Sequence, residues 1–155
     1  MGTRSGVIVR VPDANQIVVV DRKKRRVTAA WPMERFQASF PMALDEANHR
    51  FIIGGRKPGR LAVVDTVTGQ VIGDAAMGGE VDDLFWDAAR KRIHVSCGEG
   101  YVDIPGDAGN TFARMDRVVT RAGARTSFFA PTLARLYVPF PDRGAAARLN
   151  IYSVQ

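Results

Sequence analysis

The chain has 155 residues, 46% apolar and 25% charged, the proportions of one ordinary folded domain with a real core. No run approaches the ~18 consecutive apolar residues of a membrane span, and the first ten residues lack the apolar stretch of a secretory signal. A net charge of +6 admits an anionic partner, but Lys and Arg are scattered along the chain, and Cys97 as the single cysteine excludes an intrachain disulfide.

In chain order, the β-branched run Val7-Ile8-Val9-Arg10-Val11 predicts a strand that closes on the turn cluster Pro12-Asp13-Ala14-Asn15. Ile17-Val18-Val19-Val20-Asp21 reads as a strand buried on both faces. Arg22-Lys23-Lys24-Arg25-Arg26 turns the chain back into Val27-Thr28-Ala29-Ala30-Trp31. The same hairpin returns as Leu61-Ala62-Val63-Val64-Asp65, a Thr66-to-Gly69 turn, and Val71-Ile72, with Asp21 and Asp65 44 positions apart.

A second repeat overlaps the first. Phe40-Pro41-Met42-Ala43-Leu44-Asp45 with Arg50-Phe51-Ile52-Ile53 returns as Val81-Asp82-Asp83-Leu84-Phe85-Trp86-Asp87 with Arg92-Ile93-His94-Val95, Asp45 and Asp87 lying 42 positions apart. Tyr101–Ile104 and Phe112–Val119 predict a third, weaker copy. Phe128-Phe129-Ala130, Leu136-Tyr137-Val138 and Leu149–Val154 predict a fourth. No segment keeps a helical period, because Pro, Gly and β-branched residues interrupt each candidate.

A period of about 40–45 residues with several short strands per unit signals a β-propeller. The expectation is therefore an all-β propeller of about 3.5 four-stranded blades, in one domain with repeats near 7–39, 40–80, 81–123 and 124–155. The first blade is expected to lack its innermost strand and the last its outermost. Such an open arc exposes apolar faces, so completion by dimerisation is expected unless the chain is part of a longer product.

The Asp-terminated β-branched hairpins at Ile17–Asp21 and Leu61–Gly69, with the strands Phe51-Ile52-Ile53 and Leu136-Tyr137-Val138, resemble the YVTN-type (WD40-like) β-propeller repeat, YncE-like proteins in particular. The resemblance spans almost the whole chain, but its motif is structural. It implies a binding or scaffold module, with a single-stranded DNA-binding propeller and a lactonase-like hydrolase as alternatives, and periplasmic or exported localisation. It also implies that ligands meet the loops converging on the central channel. In this chain those loops carry Arg35, Arg56, Lys57, Arg60, Asp82, Asp83, Glu99, Arg125 and Arg143, the candidate binding residues.

Each candidate has a plainer reading. The Gly54-to-Arg60 loop offers cations and free N–H groups to an anion, yet lacks phosphate-loop spacing. Glu80, Asp82 and Asp83 suit a cation or acid/base work, but solvated or Arg-paired acids are the favoured reading. Two histidines do not make a zinc site, so neither cofactor nor metal is expected. His94 reads as a hydrogen-bonded residue between blades and Cys97 as a small buried one. The basic turn Arg22–Arg26 attracts phosphate, but no interleaved aromatics give bases a stacking platform. A non-enzymatic module with an unidentified ligand or protein partner is the leading expectation; no catalytic residue is singled out.

Overall fold

The computed structural model describes residues 6–33, 39–107, 109, 111–140, 144 and 146–155. These residues form four antiparallel sheets in chain order. The first contains β1 (Gly6–Val11), β2 (Gln16–Asp21) and β3 (Arg26–Pro32). The second contains β4 (Ser39–Asp45), β5 (Arg50–Arg56), β6 (Gly59–Asp65) and β7 (Val71–Ala76). The third holds β8 (Val81–Asp87), β9 (Arg92–Cys97), β10 (Tyr101–Asp107) and β11 (Phe112–Val119); the fourth holds β12 (Phe128–Ala130), β13 (Arg135–Phe140) and β14 (Arg148–Ser153). In each sheet the strands pair in sequence order, a meander that antiparallel pairing and short turns permit.

The internal repeat is visible atom by atom. Asp21 Oδ1 accepts the N–H groups of Lys23 and Lys24, and Asp65 Oδ1 those of Val67 and Thr68. The register slips at Val19/Val20 in one hairpin and at Val63/Val64 in the other. Met33 N–H donates to the Asn15 carbonyl as Met77 N–H does to that of Gly59. All three relationships are 44 positions apart, so β1–β3 correspond to β5–β7. Among the described residues the first sheet thus has no counterpart of β4. The last sheet, whose Leu136 and Val138 repeat the buried positions of Ile93 and Val95, has none of β7 or β11.

Three apolar clusters fill the spaces between successive sheets. Ile17 and Met33 pack with Phe51, Ile53, Ala62 and Val64; Ile52, Leu61 and Val63 with Val81, Ile93, Val95 and Cys97; and Val102 with Phe129, Leu136 and Val138. Interior strands β5 and β6 contribute to both neighbouring clusters, which explains their near-continuous apolar sequence. β2 is different: only Ile17 and Val18 are buried, because among the described residues no sheet covers its other side. The expectation of a strand buried on both faces fails there. The third repeat, weak in sequence, is a full four-stranded sheet, its outer pair β10–β11 bulged at Ile104/Pro105. Among the described residues no helix is long and apolar enough to cross a membrane.

Candidate functional site

At one end of the sheets, the turn after β5, the loop between β7 and β8, the turn after β9 and the loop before β12 come together. Backbone bonds stitch them: Glu80 N–H donates to the Arg56 carbonyl, Gly98 N–H to that of Glu80, and Gly123 N–H to that of Gly98. Gly59 has to be glycine for the approach, since a Cβ there would stand 2.2 Å from the Gly78 carbonyl oxygen. Beneath, buried Asp103 accepts Gly78 N–H at 2.8 Å and pairs bidentately with Arg117. Arg117 in turn lies 4.3 Å over the Tyr101 ring. The loops therefore rest on a fixed, hydrogen-bonded floor.

On that floor a row of alternating charges crosses from the second sheet to the loop that enters the fourth. Arg56 pairs with Glu80 and, at 3.4 Å, with Asp82; Lys57 reaches Glu80 at 3.3 Å; Arg125 Nε lies 2.9 Å from Asp82. Lys57 and Arg56 hold the Glu80 carboxyl below its ordinary pKa. Asp83 points the other way: burial pushes its pKa up, against the Ser127 N–H it accepts at 2.6 Å and with help from neighbouring Asp82. Glu99 accepts Gly79 N–H at 2.9 Å.

The structure thus brings together Arg56, Lys57, Asp82, Asp83, Glu99 and Arg125 from the expected set, and adds Glu80. It does not bring in Arg60, which pairs with Asp74 across the outer part of the second sheet. Arg35 and Arg143 lie outside the described residues. Among the described residues no three His, Cys, Asp or Glu side chains converge as a metal would need.

Cys97 is buried, and burial, with Asp103 nearby, raises its thiol to about 12. The thiolate needed for chemistry is suppressed. His94 departs from expectation. It lies between sheets, its ring 4.8 Å from that of Phe129, but neither ring nitrogen has a hydrogen-bond partner among the described residues. Its Nε2 stands 3.6 Å from Asp87 Oδ2, beyond hydrogen-bond range. Burial foremost, then Arg92, lowers its pKa, so the ring is neutral near pH 7. A cavity of about 250 Å³ opens beside it between the third and fourth sheets, lined by Arg92, Val102, Ile104, Asp116 and Tyr152 among others. Sequence reading missed this cavity, because its walls are supplied by five strands of two different sheets.

No protein-family model and no curated protein sequence matches the chain. Solved structures do. Kuenenia stuttgartiensis hydrazine synthase matches with a TM-score of 0.82 at 15% identity, covering 96% of this chain and 43% of that one. A chain of the mitotic checkpoint complex matches at TM-score 0.78 and 15% identity, over 96% and 45%. The Neurospora crassa Pan2 WD40 domain matches at 0.71 and 14%, over 96% and 44%. The chain spans less than half the length of each of these. Likeness at such identity speaks for architecture alone, and the four meander sheets agree with it: the chain is an all-β, WD40-like propeller arc of four blades.

Proposed function

We propose that the chain is a non-enzymatic interaction module that recognises a protein partner through the loop face built around Arg56, Lys57, Asp82, Asp83, Glu99 and Arg125. The observation that carries this reading is the row of paired charges Lys57–Glu80–Arg56–Asp82–Arg125, half-exposed and held on a rigid floor. Alternating charge of this kind favours a partner of complementary pattern, fixing orientation and encounter rate more than bulk affinity. The mitotic checkpoint and Pan2 WD40 likenesses support the same class of role. The finer YVTN, YncE-like assignment rests on the hairpins at Ile17–Asp21 and Leu61–Gly69.

Two features weigh against a single-stranded nucleic acid surface. Most Arg side chains near the loops are already paired with acids. Four of the described aromatics are spent on packing: Trp31 stacks on Phe51 at 6.4 Å, and Phe85 meets Phe129. The test is affinity capture followed by a binding isotherm with the purified partner, comparing the wild type with Asp82→Lys/Arg125→Glu. A partner held by the wild type and released by this folded variant supports the reading. Equal retention overturns it. Binding to labelled single-stranded DNA that falls steeply with salt would favour the nucleic-acid alternative instead.

A second reading concerns ring completion by a second copy. Val7 and Val9 on the first sheet, and Phe128, Leu149 and Ile151 on the last, are exposed where interior sheets are covered. Light scattering after size exclusion tests it; a mass of one chain at all concentrations would remove it.

A further inference from the structure

The five side chains of the charged row are not equally occupied. Glu80 is held from both sides, Oε1 by Lys57 at 3.3 Å and Oε2 by Arg56. Asp82 is held likewise, Oδ1 by Arg56 at 3.4 Å and Oδ2 by Arg125 at 2.9 Å. Both oxygens of each acid in the row therefore already face a cation. The two acids off the row serve the scaffold: Asp83 accepts Ser127 N–H, and Glu99 accepts Gly79 N–H.

The cations at the two ends are in the opposite condition. A lysine ammonium carries three N–H donors and a guanidinium five, with no acceptor on either. Lys57 turns toward Glu80, yet its side chain stays 83% exposed. Arg125 meets Asp82 through Nε, and its side chain is 51% exposed. The planar fork of its two terminal nitrogens has no partner among the described residues. Arg56, between them, is only 23% exposed and is shared by Glu80 and Asp82. The row is thus saturated in acceptors at its centre and carries open donors at its ends.

That asymmetry decides what a partner must bring. A basic segment would set like charges against Lys57 and Arg125, and the row offers it no unpaired acid. Because Glu80, Arg56 and Asp82 stand between the open ends, one anionic group does not serve both. In an extended backbone the side chains of one face recur at every second residue, about 6.6–6.8 Å apart, so a single segment can present two carboxylates along the row.

We propose that the partner of the loop face is an acidic peptide segment, with one carboxylate on Lys57 and a second held bidentately by the open fork of Arg125. The inference rests on the loop-face reading and adds the partner's chemistry to it. Register is set at Arg125, where the fork matches a carboxylate in one plane, whereas Lys57 acts as a point charge and accepts a looser fit. No ion pair of the row has to break for the segment to bind.

The experiment uses the full 15N-labelled chain and two sets of Gly/Ser peptides. One set carries two glutamates separated by one, three or five residues; the other carries two lysines at the same spacings. The Arg125 Nε–H resonance and the backbone resonances of Lys57, Glu80 and Asp82 are followed by NMR during titration in physiological salt. At least one Glu-pair peptide is expected to shift them saturably, and the Lys-pair peptides to leave them in place. Arg125→Gln and Lys57→Gln in the protein are each expected to weaken that binding about fivefold or more, and Lys57→Arg to retain it. Glu-pair peptides that shift nothing at any spacing, or that bind both Gln variants as tightly as the wild type, overturn the proposal. Lys57→Gln, at the more exposed position, keeps the test decisive if Arg125→Gln disturbs the fold. The two readings fail differently. Lys-pair peptides that shift the same resonances would sink the acidic partner while keeping the loop face as a binding surface. A partner that Asp82→Lys/Arg125→Glu does not release removes the surface itself.

Discussion

Arg50 of the second blade reaches Asp107 of the third while its Nε stays 2.9 Å from Asp45 on its own sheet, so one buried guanidinium ties two blades together. The rings of Trp86 and Phe112 enclose it at 5.5 and 5.8 Å. Burial alone would lower its pKa, but Asp107 and Asp45 outweigh burial and raise it, so the charge is permanent. Arg50→Met leaves the Asp45 carboxylate buried and unpaired, at a cost of about 3–5 kcal/mol. Urea unfolding checks this. A companion Asp45→Leu should recover part of the loss, and a loss below about 0.5 kcal/mol would show that the pair does not couple the blades.

The orphaned imidazole of His94 makes stability depend on pH in a stated direction. Its pKa is lower in the folded state than in the unfolded chain, so the unfolded chain takes up the proton first as pH falls. The contribution is whole above about pH 6.5 and shrinks below it, down through the folded-state value. Thermal melts between pH 8 and 5 should show this slope, and His94→Leu should flatten it. An unchanged slope in that variant would assign the dependence to other groups.

Cys97 offers a readout of blade separation. With its thiol raised to about 12 and buried between the second and third blades, it is expected to resist iodoacetamide at pH 8 in the native state and to react fully in denaturant. Labelling at the same rate in both conditions would contradict the burial.

The first blade is held by a ring on a glycine. Gly69 sits at φ +73°, and a Cβ there would stand 2.2 Å from the Trp31 indole. Gly69→Ala therefore combines left-handed strain with displacement of Trp31 from its stack on Phe51, and should cost about 2 kcal/mol or more. Chemical denaturation with Trp fluorescence measures both at once. A neutral result would mean that the indole moves aside freely.

The local pattern of this sequence determined much. Alternation, β-branched runs and the 42- and 44-residue repeats defined the strands and the propeller, because strand formation and blade stacking are read by side chains a short distance apart. The alignment of the three-stranded outer sheets with the interior ones also followed, since Asp21 repeats Asp65 and Leu136 repeats Ile93. Glycine-rich and acidic loops marked where charges gather, and six of the nine expected residues do converge. Which acid meets which base was left to the tertiary structure: Asp82 is shared by Arg56 and Arg125 across adjacent blades, while Arg60 turns to Asp74 on the neighbouring strand of its own sheet. The cavity beside His94 was equally invisible, for a void has no sequence of its own. It exists because strands β9, β10, β11, β13 and β14 surround a space that, one blade earlier, a phenylalanine fills.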